Sequence, residues 1–193
     1  MRILIAVPTF ETIAPETFKA IYDLKSEHDL SFDFVKGYDC AAARNEIAEK
    51  ALAGGFDYVL MVDSDTIIPP ETISYMLENP VDICLGVCPR KNTKTGESCI
   101  IKYGIRDFSE VYHYDEFDEP RIRIKAGGFA CALIRTDVFR SVPEPWFRYA
   151  VYDDGSILSE DYYFCNNAGF EGLTIEADTR VRCGHLARYF QYE

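Results

Sequence analysis

The chain has little positive charge, and this limits the partners it can bind. Its 193 residues contain 20 lysines and arginines against 32 aspartates and glutamates, which gives a formal net charge of −12. Affinity for nucleic acids comes largely from basic side chains that neutralise phosphates, so we expect no nucleic-acid surface. A small phosphate compound that is chelated by a metal cation remains compatible with this charge.

Long apolar runs and paired cysteines are missing as well. The chain starts with an apolar run of only six residues, 3–8, which is too short for a signal peptide or a membrane span. The seven cysteines lack the paired spacing of a zinc site, and their odd number argues against a full disulfide framework. We therefore expect a soluble, cytoplasmic protein with reduced thiols and no transmembrane segment.

The pattern of the first half is typical of a layered α/β fold. Helical patterns that begin at Pro15, Ala41 and Pro69 alternate with strand-like runs over residues 3–7, 31–35, 57–62 and 81–87. Strands that alternate with helices form a parallel sheet with right-handed crossovers, and the helices cover its faces. The first half is therefore Rossmann-like.

After Pro89 the sequence changes character, and strands become shorter and helices fewer. Short strands are indicated at 99–103, 111–114, 121–125 and 129–134, with helices near Asp137 and over 159–168. No repeat, low-complexity tract or linker divides the chain. We predict one α/β domain over residues 1–193, with a mostly parallel central sheet flanked by helices and a smaller mixed β region in the C-terminal half.

Two carboxylates, Asp63 and Asp65, follow the predicted strand at 57–62 and are separated only by Ser64. Folds of this class bind ligands at the carboxyl edge of the sheet. Two acids at that edge can hold a divalent cation and, through it, a phosphate. The alternative is a solvated strand end whose acids cap the next helix.

Two later segments also carry candidate chemistry. Glu160 and Asp161 either favour the helix dipole behind Ser159 as N-cap, or aim a carboxylate into the cleft as a base or acceptor-binding group. His185 follows a strand-like run and could supply a neutral nitrogen ligand that completes the aspartate site. Arg188 could neutralise a departing diphosphate, or it is a surface charge.

The ordered set of motifs resembles that of the GT-A-fold glycosyltransferases, especially the family-two-like enzymes. The resemblance covers nearly the whole chain and depends on six segments: Val7-Pro8-Thr9, Ala43-Arg44-Asn45, Asp63-Ser64-Asp65 as a DxD motif, Gly127-Gly128-Phe129, Glu160-Asp161 as an ED motif, and Cys183-Gly184-His185. It implies a metal-dependent enzyme that moves a sugar from a UDP- or GDP-sugar to an acceptor hydroxyl. Residues 1–89 would form the nucleotide-binding half, and residues 90–193 would bind the acceptor and complete the metal site.

The same resemblance implies a role for each matching residue. Asp161 is the candidate base of an inverting reaction, with Glu160 as second choice, although retaining enzymes carry similar motifs and the stereochemistry stays open. Mn²⁺ or Mg²⁺ would be held by Asp63, Asp65 and His185. The nucleotide-sugar would contact Pro8, Thr9, Glu11, Asp39, Arg44, Asp63 and Arg188. Of these, Asp39 is equally suited to capping the helix that follows it.

Two other functions fit parts of the sequence. A sugar-phosphate nucleotidyltransferase would need a Gly-rich, basic loop after the first strand, whereas the loop at 8–15 has neither glycine nor lysine and carries Glu11. A non-catalytic nucleotide-sugar or metal-binding module would bind a nucleoside diphosphate with metal but transfer no sugar.

Overall fold

The computed structural model describes residues 1–10, 12–91, 96–104 and 108–186. In its first half, strands and helices alternate as β1 (Arg2–Thr9), α1 (Pro15–Tyr22), β2 (Asp29–Lys36), α2 (Cys40–Ala53), β3 (Tyr58–Val62), β4 (Thr66–Ile67), α3 (Thr72–Glu78) and β5 (Ile83–Val87). The alternation predicted for this half is confirmed. The two-residue strand β4 was not predicted, because so short a run carries no periodicity.

The second half contains more strands than the sequence pattern indicated. Its elements are β6 (Glu97–Lys102), β7 (Val111–His113), β8 (Arg121–Gly127), β9 (Cys131–Arg135), α4 (Val138–Ser141), β10 (Ala150–Val151), β11 (Ile157–Leu158), α5 (Glu160–Phe170), β12 (Ile175–Arg182) and β13 (Gly184–His185). No helix within the described ranges is both long enough and apolar enough to cross a membrane.

Nine of the described strands form one sheet in the order β2-β1-β3-β9-β5-β12-β8-β6-β7. β1 runs parallel to β2 and β3, and β12 runs parallel to β5. β9 lies antiparallel between β3 and β5, so these two strands are not neighbours. The α/β class and the flanked central sheet are confirmed. The sheet is mixed rather than mostly parallel, because β6, β7, β8 and β9 of the second half join it in antiparallel pairs.

Two apolar layers cover the two faces of this sheet. Successive residues of a strand point to opposite faces, and in β1 Leu4 and Ala6 pack on one side while Ile3, Ile5 and Val7 pack on the other. The buried side chains of α2, α4 and α5 join the first layer, and those of α1 and α3 join the second. A three-layer fold of this kind leaves the strand ends as the open edge at which a ligand can bind.

The start of α2 is brought to that edge by a close approach of backbone. A Cβ atom on Gly37 would lie 2.5 Å from Ala43 N, so only glycine allows the loop after β2 to pack on the first turn of the helix. Asp39 is the N-cap residue of α2, and its Oδ1 accepts a hydrogen bond from Ala42 N at 2.7 Å. β1, β3 and α2 therefore meet around one cleft.

Candidate functional site

A cavity of about 230 Å³ opens where the ends of β1 and β3 meet the start of α2. Five of the residues that the sequence singles out line it: Pro8, Thr9, Asp39, Asp63 and Asp65. Phe10, Cys40 and Lys91 also lie in its wall. The cavity thus gathers the two motif aspartates with the end of the first strand, at the sheet edge where the sequence placed them.

The two motif aspartates lie on either side of a turn and contact different partners. Asp63 N donates to Ala130 O at 3.0 Å, which continues the ladder of β3 and β9, and Thr66 N donates to Asp63 O at 3.1 Å to close the turn. The Asp63 carboxylate contacts Arg44, whereas the Asp65 carboxylate contacts His185 and Lys91. The turn therefore directs the two carboxylates to different partners.

Arg44 lies beneath the cavity floor with only 2% of its surface exposed. Its guanidinium forms ion pairs with Asp63, at 2.8 Å, and with Glu160 on α5. It also lies 5.7 Å from the centre of the Phe129 ring. Burial raises the pKa of both carboxyl groups, although Arg44 acts in the opposite direction. Arg44 thus links α2, the turn after β3 and α5 through ion pairs.

His185 reaches Asp65 through a pair of very short strands. β13 pairs antiparallel with β4, so that His185 lies opposite Thr66, and Leu186 N donates to Asp65 O at 2.9 Å. His185 Nε2 is 3.5 Å from Asp65 Oδ1. These two residues are far apart in the sequence, and the strand pairing brings them together.

The orientation of the His185 ring is set by a backbone carbonyl. Nδ1 lies 2.8 Å from Pro89 O, and because a carbonyl only accepts, Nδ1 carries the proton. Nε2 is buried and makes no hydrogen bond with the described residues. Burial lowers the pKa of His185, but Asp65 and the Pro89 carbonyl raise it, and the net change is upward.

Asp161 follows Glu160 in the first turn of α5. Its Oδ1 accepts hydrogen bonds from Ser159 Oγ and, at 2.8 Å, from Tyr162 N. Its Oδ2 accepts a longer hydrogen bond of 3.4 Å from Phe129 N. Ser159 occupies the N-cap position but makes no capping hydrogen bond to the helix backbone, so its hydroxyl orients Asp161 instead.

Of the other residues predicted to contact the nucleotide-sugar, some lie at the cavity wall and some lie outside the described residues. Thr9 Oγ1 donates to Thr12 O at 3.0 Å, which fixes the loop that follows β1 at the cavity wall. Asp39 caps α2 and is exposed at the same wall, so both of the roles weighed for it remain compatible with its position. Glu11 and Arg188 lie outside the described residues.

Solved structures with the same architecture exist, although no family model and no curated protein sequence matches the chain. A197 from STIV has a TM-score of 0.66 at 14% identity, over 97% of this chain and 87% of its own. TarS from S. aureus, in complex with UDP-GlcNAc, has a TM-score of 0.61 at 14% identity, over 99% of this chain. GalNAc-T7 with UDP, GalNAc and Mn²⁺ has a TM-score of 0.65 at 9% identity, over 97% of this chain. The chain has a GT-A-type fold.

These likenesses concern the fold, because the sequence identities are low. The chain spans 60% of the TarS structure and 43% of the GalNAc-T7 structure, which is less than two thirds of either. The cavity at the ends of β1 and β3 is the candidate ligand site of this fold.

The ligand atoms that this site offers fit a divalent cation. No three metal-ligating side chains gather within the described ranges, so the protein itself offers the Asp65 carboxylate and His185 Nε2. A carboxylate suits Mg²⁺ and Mn²⁺, and an imidazole suits transition metals in general. A ring whose other nitrogen donates to a backbone carbonyl is the usual arrangement of a metal-ligating histidine. Asp65 and His185 could therefore hold a cation whose other ligands come from a bound compound.

Two features of the site go beyond what the sequence predicted. Arg44 was expected to approach a nucleotide, and its burial behind Asp63 with a second ion pair to Glu160 was not foreseen. Its helical phase carried the signal, since Arg44 shares a face of α2 with the buried Ile47, Ala48 and Ala51. Lys91 was not singled out at all, because nothing in the polar loop after β5 distinguishes this lysine from a surface residue.

Proposed function

We propose that this protein is a metal-dependent glycosyltransferase that moves a sugar from a nucleoside-diphosphate sugar to an acceptor hydroxyl with inversion. The observation that carries the proposal is the Asp65–His185 pair, in which a buried histidine nitrogen, without a hydrogen-bond partner among the described residues, lies 3.5 Å from a carboxylate at the cavity. The fold supports it, since TarS was solved with UDP-GlcNAc and GalNAc-T7 with UDP and Mn²⁺.

The charge of the cavity supports a cation as part of the donor site. Its described lining carries three carboxylates, from Asp39, Asp63 and Asp65, against one ammonium group, from Lys91. An anionic diphosphate would be repelled by such a surface unless a divalent cation came with it. Mn²⁺ or Mg²⁺ held by Asp65 and His185 would neutralise charge on the leaving nucleoside diphosphate. Asp63, with Oδ1 on Arg44, is assigned to the ribose or the metal through its other oxygen.

The nucleoside is assigned to the part of the cavity formed by β1 and the start of α2. Pro8 and Thr9 line this part at the end of β1, and Asp39 faces them across it from the cap of α2. An exposed carboxylate at this position suits a ribose hydroxyl, which can donate a hydrogen bond to it.

Asp161 is the base that the geometry favours over Glu160. Glu160 is buried and paired with Arg44, so its role is to position Arg44 and the start of α5. Asp161 is half-buried, and Ser159 and the helix backbone hold its Oδ1, while its Oδ2 makes the longer contact. In the proposed reaction the acceptor oxygen bonds to the anomeric carbon, the bond from that carbon to the diphosphate oxygen breaks, and Asp161 takes the hydroxyl proton.

Binding of UDP and GDP in the presence of Mn²⁺, measured by calorimetry, tests the donor site. Asp65→Ala and His185→Ala should each abolish metal-dependent nucleotide binding, while circular dichroism shows an intact fold. Asp137→Ala and His28→Ala are matched controls away from the cavity, and both should bind as the parent does. Unchanged nucleotide affinity in both site variants would contradict the assignment.

A second measurement separates the enzyme from a binding module. If the parent protein binds UDP or GDP with Mn²⁺ but neither hydrolyses nor transfers any donor sugar, the non-catalytic alternative holds.

A further inference from the structure

Lys91 lies in the cavity wall and is bound to the aspartate that is assigned to the metal. Its Nζ pairs with Asp65 Oδ2, while His185 faces Oδ1 of the same carboxylate. The Lys91 side chain is 45% exposed, and that of Asp65 is 22% exposed. Both oxygens of Asp65 thus already have a nitrogen neighbour.

The segment from Pro89 to Lys91 touches both members of the Asp65–His185 pair. The carbonyl of Pro89 orients the His185 ring, and two residues later the Lys91 ammonium holds Asp65. The backbone of this segment is fixed, because Pro89 bridges to Ser98 and Arg90 N donates to Glu97 O at 2.9 Å. The four-carbon stem of the lysine can therefore move its charge while the backbone stays in place.

We propose that Lys91 is a diphosphate-binding residue, and that Asp65 holds its ammonium group until a divalent cation displaces it. This inference rests on the proposed function, since it names a further contact for the same donor. Mn²⁺ or Mg²⁺ held by Asp65 would repel the Lys91 ammonium, which is bound to the same carboxylate. The lysine then turns towards the diphosphate, to which an ammonium can donate three hydrogen bonds.

This arrangement couples the two ligands of the site. Lys91 weakens the binding of a cation alone, because the cation must break an ion pair to reach Asp65. Breaking the Lys91–Asp65 ion pair costs less free energy when a diphosphate arrives with the cation, because Lys91 then gains a new anionic partner. A lysine that only neutralises Asp65 would have no effect of this kind on nucleotide binding.

The test is Lys91→Met, with two measurements that should change in opposite directions. Mn²⁺ affinity of the nucleotide-free protein, from electron paramagnetic resonance of free Mn²⁺, should rise about two- to fivefold, the size of a partly exposed ion pair. Affinity for UDP or GDP at saturating Mn²⁺, from calorimetry, should fall at least about tenfold, the size of one charged hydrogen bond.

Two further variants serve as controls. Lys91→Arg keeps the positive charge and should neither tighten Mn²⁺ binding nor lose the nucleotide. Lys50→Met removes a lysine of similar exposure, paired with Asp33 at 2.8 Å near the far end of α2, and should change neither affinity.

The outcomes separate the inference on Lys91 from the proposed function. Mn²⁺ affinity that stays the same or falls in Lys91→Met overturns the competition for Asp65. If the parent binds UDP or GDP with Mn²⁺ and Lys91→Met binds it equally well, the diphosphate role is wrong while the proposed function stands. If the parent binds neither nucleotide with Mn²⁺, the proposed function fails and takes the diphosphate role with it.

Discussion

Replacing Arg44 by methionine should destabilise the protein strongly, because it removes a buried cation between two carboxylates. Arg44 is 2% exposed and the Glu160 side chain 7% exposed, while that of Asp63 is 28% exposed. Methionine fills similar space but cannot donate a hydrogen bond to either acid. Both carboxylates would then lie in a poorly solvated region without their partner.

The size of the effect follows from the cost of an uncompensated buried charge. Removing one partner of a buried ion pair costs about 3–5 kcal/mol, and Arg44 serves two acids, so we expect about 4–5 kcal/mol. Such a loss is a large part of the roughly 5–15 kcal/mol by which domains are stable. For a chain of this length, the melting temperature should fall by roughly 8–20 °C.

Urea denaturation measures this loss, with a lower midpoint and an unchanged slope. The double variant Arg44→Met with Glu160→Gln removes one stranded charge and should recover at least about 1 kcal/mol relative to additive behaviour. Arg140→Met is the control, since the Arg140 side chain pairs with Asp137 at the surface, and this substitution should change stability by no more than about 0.5 kcal/mol. A loss below about 1 kcal/mol in Arg44→Met, or strict additivity in the double variant, would refute the role assigned to Arg44.

Two other substitutions probe the reaction and the pH dependence of stability. Asp161→Asn should bind the donor as the parent does but transfer sugar at least about 100-fold more slowly, because a general base is lost. Near-normal turnover in steady-state assays would rule out Asp161 as the base and favour a retaining reaction. Burial raises the pKa of Asp178, yet hydrogen bonds from Arg180 and Arg121 outweigh it and leave the pKa below its usual 3.8. That stabilisation is present above pH 3.8 and disappears as the pH falls through the lower folded value. Asp178→Asn should therefore lower the free energy of unfolding by about 3 kcal/mol at pH 7, and by progressively less as the pH falls below 3.8. A loss of stability that does not change with pH would count against the ion pairs.

Much of the local structure could be predicted, because it depends on local patterns. The apolar run before Asp63 predicted β3, and the phase of Ile47, Ala48 and Ala51 predicted α2. The position of Asp39 before a helix predicted its capping role. These signals lie within a few residues of the structure they specify, so neighbouring side chains suffice to produce them.

The strand order could not be predicted, because it depends on pairing between distant segments. The sequence placed β3 and β5 in one parallel sheet, and β9 proved to lie between them. The residues of β9 from Cys131 to Ile134 are buried, and an apolar run of this kind suits any central position in a sheet. Its place is chosen by the packing of the whole sheet rather than by its own composition.

The sequence by itself determined the strands, the helices and the order of the charged motifs, since these follow from local periodicity and from residue type. Only the tertiary structure decided which charges meet. It placed Arg44 between Asp63 and Glu160, and it brought His185 and Lys91 to the two oxygens of Asp65. Pairing of this kind depends on contacts between residues up to 120 positions apart and on how far each charge is removed from water, neither of which a linear pattern specifies.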